Sequence, residues 1–472
     1  MSRRRLLAAL LMAAATLVVV PEAAVAHGIA GREDLPIPKW LFGWAATAVL
    51  VVSFVGLAVL WPRPRLEQAG ERRLVSMPRI LDPICGAIGV VVFALLIYAG
   101  FAGSQDAATN ILPTFVFVIF WVGVAVLSVL LGDVFHAFNP WRAIARGVAA
   151  IASRVGRGTL PAPMPYPAAL GRWPAAAGIV AFVWLELIYP DRTDPSKLAV
   201  FALTYAAIQL VGMSLYGIGP WTRYGDALAS FYGLIARMAP LRWERGAVYG
   251  RVPLSGLTRL DAVPGTVALL CAMIGTTSFD GFSAGPLWGE IAPRMTDSLG
   301  DIGFSQSVSL QIAFTIGLIV VIALVAGLIR LGIAGMRNAS HVDLTTDELA
   351  ARFAHTLAPI ALAYVVAHYF SLLFVNGQAI GYLLSDPLGN GANYFGTAQW
   401  TVDYGWISAN VVWYVQVGAL VLGHVAGLVL AHDRALVTFK EGRAATRSQY
   451  WMLAVMIAFT SLGLWLLSAA NS

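Results

Sequence analysis

Apolar runs of about 20 residues recur along the whole chain, separated by short polar joints rich in arginine, glycine and proline. Such a run is long enough to cross the hydrocarbon core as a helix, and in lipid a helix satisfies all of its own backbone groups. The pattern predicts an all-α, polytopic transmembrane helix bundle. Its ten or so spans lie near 40–61, 83–103, 111–132, 173–190, 198–219, 263–280, 308–330, 353–377, 408–431 and 449–468. Ahead of them, residues 1–26 read as a cleaved signal peptide. Arg3, Arg4 and Arg5 form its charged start, Leu6 to Val20 its apolar core, and Ala24-Val25-Ala26 its small-residue cleavage motif. Residues 27–472 then form a single membrane domain.

The segments between the spans alternate in charge. One set carries Arg63, Arg65, Arg72, Arg73 and Arg79, then Arg142, Arg146, Arg154 and Arg157, then Arg223, Arg237, Arg242 and Arg245. The opposite set holds only Arg32, Lys39, Arg192, Lys197 and Arg294. By the positive-inside tendency the first set faces the cytoplasm, and both mature ends lie outside. The same distribution explains a net charge of +6 without nucleic acid as a partner, because the cations punctuate spans and form no basic face. Two inner loops are long, 133–172 and 220–262, and the stretch ASFYGLIARMAPLRW in the second reads as lying along the membrane surface. Two outer loops, 278–307 and 379–407, carry several carboxylates, tryptophans and glycines and suggest covers over an outer mouth.

Composition sharpens where chemistry lies. Hydrophobic residues make up 58% of the chain and charged ones 12%, so ionisable groups at membrane depth stand out as functional candidates. Cys85 and Cys271 both fall in apolar runs and form no disulfide framework. Four of the seven histidines fall within Ala354 to Asp433: His355, His368, His424 and His432. Depth and helical phase separate them. An outer polar layer combines Glu186, Asp280, His368, Asn376 and Gln416, with Tyr364 and Ser371 on the His368 side of the eighth span. An inner layer holds His424, His432 and His355, with Asp133 and His136 from GDVFHAFNPW.

Three chemistries suit these groups. The first is a divalent metal, zinc or manganese, bound by imidazole and carboxylate. Its candidate ligands are His368, His424, Glu186, Asp280 and His136, with no HExxH spacing to support them. The second is haem, disfavoured because His355 and His368 face different sides of one helix. The third is a proton or cation relay. Tyr364, Asn376, Trp413 and Gln416 are the candidate lining of a substrate pocket, with Glu186 and His368 as the catalytic pair.

The strings AHGIAGREDLPIPKWLFGWAA, LAVLWPRPRL, FVWLELIYPDRTDPSKLAV, TSFDGF, AHYFSLLFVNGQ and GHVAGLVLAHDRAL resemble a family of bacterial integral membrane proteins known as fenitrothion hydrolases, nearly end to end. The resemblance implies cleavage of organophosphorus triesters, small apolar molecules that partition into a bilayer. It carries no established catalytic set onto these residues. The leading expectation is a metal-dependent phosphotriester hydrolase of the bacterial inner membrane. The alternative is a transporter or metal-handling protein that passes protons or cations through the same residues.

Overall fold

A computed structural model describes residues 39–155, 163–244, 246–340, 342–439 and 442–470. The signal segment lies outside them. The described chain is a mostly helical bundle. Eight helices are long and apolar enough to span a bilayer among the described residues. In chain order the main elements are α1 (Lys39–Leu60), β1 (Glu71–Ser76), α2 (Leu81–Ala102), α3 (Ile111–Leu131), α4 (Val134–Phe138), α5 (Pro140–Val155), α6 (Trp173–Leu187), α7 (Pro195–Tyr216) and α8 (Ala227–Ala236). There follow β2 (Leu241–Glu244), β3 (Ala247–Arg251), α9 (Thr266–Ser283), α10 (Pro286–Asp301), α11 (Gln306–Ser340), α12 (Thr346–Phe353), α13 (Ala358–Phe374), α14 (Ile380–Ser385), α15 (Ala409–Thr438) and α16 (Gly442–Ala470). Of the other two expected spans, 173–190 is the 15-residue α6 and 449–468 falls within the 29-residue α16.

One end of the bundle carries Arg142, Arg146 and the strands, and is called the basic end below. Three elements differ from the sequence expectation. The basic end holds a small antiparallel sheet of order β1-β3-β2, in which Glu71 pairs with Arg251 and Leu241 with Gly250. The 278–307 segment is mostly helical, since α9 runs on to Ser283 and α10 continues to Asp301. Trp288 of α10 packs edge-on against Phe279 and Phe314, so this segment is anchored rather than draped.

The third difference bears on function. The stretch expected on the membrane surface is instead interior. From Ala227 to Ala236 every residue except Gly233 is buried, and α8 packs against α3, α6 and α4. The reason is compositional: ALASFYGLIA has no polar face to present to headgroups, so its stable place is inside protein. Its first turn is capped by Asp226, whose Oδ1 accepts the Ala229 N–H at 3.1 Å. A helix of ten residues cannot cross a bilayer, so α8 ends within the bundle. That arrangement is tolerated where protein surrounds it.

Small residues set the closest helix contacts, as expected where lipid removes the hydrophobic drive between helices. At the α13–α15 crossing Gly423 faces Ala363 and Gly427 faces the Thr356 carbonyl. Below it, α15 is tied to the loop after α1. The buried Asp433 carboxylate accepts the Trp61 indole N–H and the backbone N–H groups of Arg65, Leu66 and Glu67. Beside it Arg434 pairs with Glu67 at 2.6 Å.

Candidate functional site

The sequence-predicted outer layer is partly assembled. His368, near the end of α13, meets Asp280, near the end of α9, with Nε2 and Oδ2 2.7 Å apart. Tyr369 donates its hydroxyl to the same Oδ2 at 2.8 Å. The His368 and Asp280 side chains retain 25% and 18% of their exposure, so the pair is half-open, while Tyr369 is buried. Glu186, on α6, sits within Coulombic reach of Asp280, and Arg192 acts on both carboxylates from the following loop. The Glu186 Oε2 atom is fully enclosed and has no hydrogen-bond partner among the described residues. An enclosed carboxyl oxygen without a donor is costly, so it marks a position kept for something other than packing.

Other candidates lie elsewhere. His424 is buried on α15, with its Nδ1 2.7 Å from the carbonyl of Leu420 and its ring 6.2 Å from that of Tyr364. Tyr364 in turn donates to the Phe459 carbonyl at 2.9 Å. Trp413 and Gln416 are buried on the His424 face of α15. Asn376 is exposed just past the end of α13. His432 bridges Gln449 and the Trp61 carbonyl beside the Asp433 clamp, so its environment is that of an interhelical tie. His355 is buried in the turn ahead of α13. His136 is exposed at the basic end, where its backbone N–H is capped by Asp133 at 3.0 Å.

The five candidate metal ligands therefore do not converge. Asp280 and His368 touch, Glu186 lies near them, and His136 and His424 have different neighbours. Among the described residues no group of three or more His, Cys, Asp or Glu is disposed to hold a metal ion, whereas such centres ordinarily take three or four protein ligands. A resident metal does not fit this donor set.

Asp133 lies just beyond the end of α3, and desolvation pushes its carboxyl up to about 6 against the relief given by the His136 N–H and by Arg142. A carboxyl raised in the folded state favours folding most when protonated. Its contribution is fully present below the unfolded value of 3.8 and is lost as pH rises through about 6. Melting curves of the detergent-purified protein are expected to drop across that window by more than those of Asp133→Asn. Parallel curves for the two proteins would refute the assignment.

Sequence reasoning did not find Tyr369, Arg192 or the buried groups around α8. Tyr369 follows His368 directly but points a hundred degrees away, so it reaches Asp280 only through the packing of α9 on α13. Around α8, Asp226 is fully buried and accepts four bonds. They come from Trp141 Nε1 at 2.7 Å, the Tyr205 hydroxyl at 2.7 Å, Asn139 Nδ2 at 3.3 Å and its own helix at Ala229. Tyr232 of α8 is buried and donates to the carbonyl of Phe120 at 2.7 Å. That carbonyl belongs to the π-helical stretch Phe115–Gly123 of α3, a distortion that recurs at functional sites. To one side, α2, α3, α6, α7 and α11 line a half-open cavity of about 1160 Å³ with an almost wholly apolar lining that includes Val92, Phe115, Phe182, Leu185, Phe201 and Ile322.

Comparison of the chain with protein-family models, with curated proteins and with solved structures gives no match.

Proposed function

We propose that the protein is a proton-handling carrier of a bacterial inner membrane, with Glu186, Asp280, His368 and Tyr369 as its acid–base centre. In this reading ten spans follow a cleaved signal, both mature ends lie outside, and the basic end faces the cytoplasm. The observation that carries it is the enclosed, unpartnered Glu186 oxygen in the field of a half-open Asp280–His368 pair. Protonating His368 strengthens its bond to Asp280, and protonating Glu186 removes an uncompensated charge from the interior. The two groups thus present one proton acceptor open to solvent and one with an oxygen closed to it, an arrangement that suits a relay.

The test is proton uptake into proteoliposomes under an imposed membrane potential. Glu186→Gln and His368→Ala are each expected to reduce uptake by about a hundredfold or more, with the folded protein recovered in normal amount. Uptake no faster than in protein-free vesicles would sink the reading.

A second reading, phosphotriester hydrolysis, draws on a different observation. Asp280 orients His368 as a carboxylate orients a general base, and Arg192 supplies positive charge near the pair. There His368 takes a proton from the water that attacks phosphorus, and the aryloxide departs. Release of nitrophenolate by purified protein, lost in His368→Ala, would favour this reading over the first.

A further inference from the structure

We infer that the half-open cavity between α6 and α7 seats the acyl chains of an anionic phospholipid, whose headgroup lies against Arg172 and Arg223 at the basic end. The inference stands apart from the carrier reading. Helix α7 packs on α2 and α5, while α6 packs on α8 and α9, so these consecutive helices diverge from the 188–194 loop that joins them. The cavity occupies that gap. Along α6 its lining runs from Trp173 to Leu185, about 18 Å at the rise of a helix. That is a little over half of the ~30 Å hydrocarbon core, the depth that the chains of one leaflet fill. Among the described residues no charged side chain lines it. The hydroxyl and amide groups that do, on Thr204, Tyr205, Gln209 and Thr315, each hydrogen-bond within the protein. The space therefore favours hydrocarbon over a ligand that needs hydrogen bonds or charge.

The end of the cavity at Trp173, Trp221 and Gly225 adjoins a concentration of positive charge. Arg172 directly precedes Trp173, and Arg223 and Tyr224 lie between Trp221 and Gly225. Both guanidinium groups stand 5.3 Å from the centre of the Tyr224 ring. Arg223 pairs with Asp261, and about half of its side chain remains exposed. Arg172 is 3% exposed. Among the described residues its hydrogen bonds go to neutral oxygens, the Asp261 carbonyl at 2.6 Å and Thr266 Oγ1 at 2.7 Å. Two cations thus adjoin one carboxylate, and the buried one leaves a positive field that an anionic group offsets. Trp173, about half exposed, has the character of the interfacial tryptophans that sit at headgroup level. A lipid phosphate here meets the charge while its chains fill the gap.

The test takes full-length protein, purified and delipidated in detergent, and adds phosphatidylglycerol or phosphatidylcholine with the same acyl chains. Native mass spectrometry counts the lipid that stays bound. The parent is expected to retain phosphatidylglycerol with about tenfold higher affinity than phosphatidylcholine. Arg223→Gln is expected to narrow that preference about fivefold, the scale of one arginine facing an anionic lipid. Arg330→Gln, at an exposed arginine paired with Asp347, is expected to leave it unchanged. Ala181 on α6 and Ala202 on α7 both line the cavity, so Ala181→Trp and Ala202→Phe each put a ring into the gap from a different wall. Both are expected to lose the bound lipid while melting near the parent. Equal affinity of the parent for the two lipids would overturn the inference, as would a parent-like preference in Arg223→Gln. Undiminished retention in a folded Ala181→Trp or Ala202→Phe would overturn it too. The parent and Arg223→Gln decide the matter even if neither filled variant folds, and none of these results bears on proton uptake.

Discussion

Asp433→Ala is expected to destabilise the protein by about 3–5 kcal/mol, the scale seen when one side of a buried charged network is removed. The carboxylate is fully buried and takes bonds of 2.8, 2.6, 2.9 and 2.8 Å from Trp61, Arg65, Leu66 and Glu67. Alanine leaves three backbone N–H groups and an indole N–H without acceptors in a place water reaches poorly. It also loosens the 61–67 segment on α15, which His432 still holds at the Trp61 carbonyl and Arg434 at Glu67. The checks are a lowered melting temperature in detergent and faster tryptic cleavage after Arg65. A variant that melts and resists trypsin like the parent would show that Asp433 does not hold this loop.

The α13–α15 crossing carries the second large effect. A Cβ at Gly423 would stand 2.2 Å from the Ala363 Cβ and 2.8 Å from the Pro359 carbonyl oxygen. Gly423→Val therefore forces the two helices apart, at a cost of about 1–3 kcal/mol or more for overpacking. Helix α13 also bears His368, so its displacement lengthens the 2.7 Å contact with Asp280 on α9. Loss of thermal stability and of proton uptake is expected together. The milder Gly423→Ala should be rescued in part by Ala363→Gly, which removes the conflict with the Ala363 Cβ and leaves the one with the Pro359 carbonyl. Failure of that rescue would place the steric conflict elsewhere.

These elements were unequally legible in the sequence. Long apolar runs gave the eight spanning helices directly, because length and hydropathy measure the property the bilayer selects. Depth along those helices brought Asp280 and His368 to one layer, and they meet. Gln416 and Asn376 share the depth but not the place, since depth leaves the neighbours of each face open. The buried α8 was hidden because ten apolar residues beside Arg237 and Arg242 look like any short interfacial segment. Asp226, directly ahead of ALASFYGLIA, was its only local signature, a capping residue before an apolar run. His432 looked like candidate chemistry, and its partner Gln449, 17 residues away, was visible only in three dimensions, as were the bonds from the loop after α1 to Asp433.

The sheet at the basic end also sets an order of events during synthesis. β1 is complete at Ser76, but its partner β3 ends at Arg251. At about 5–20 residues per second the ribosome needs roughly ten to thirty-five seconds to bridge that gap. Until then β1 waits with open backbone groups while α2, α3, α6 and α7 enter the membrane, and its arginines, Arg72 and Arg73, keep it soluble in the meantime. Pairing with β3 becomes possible only after α8 has been made, so closure of this sheet reports that the helices carrying Glu186, Tyr205 and Asp226 have all emerged.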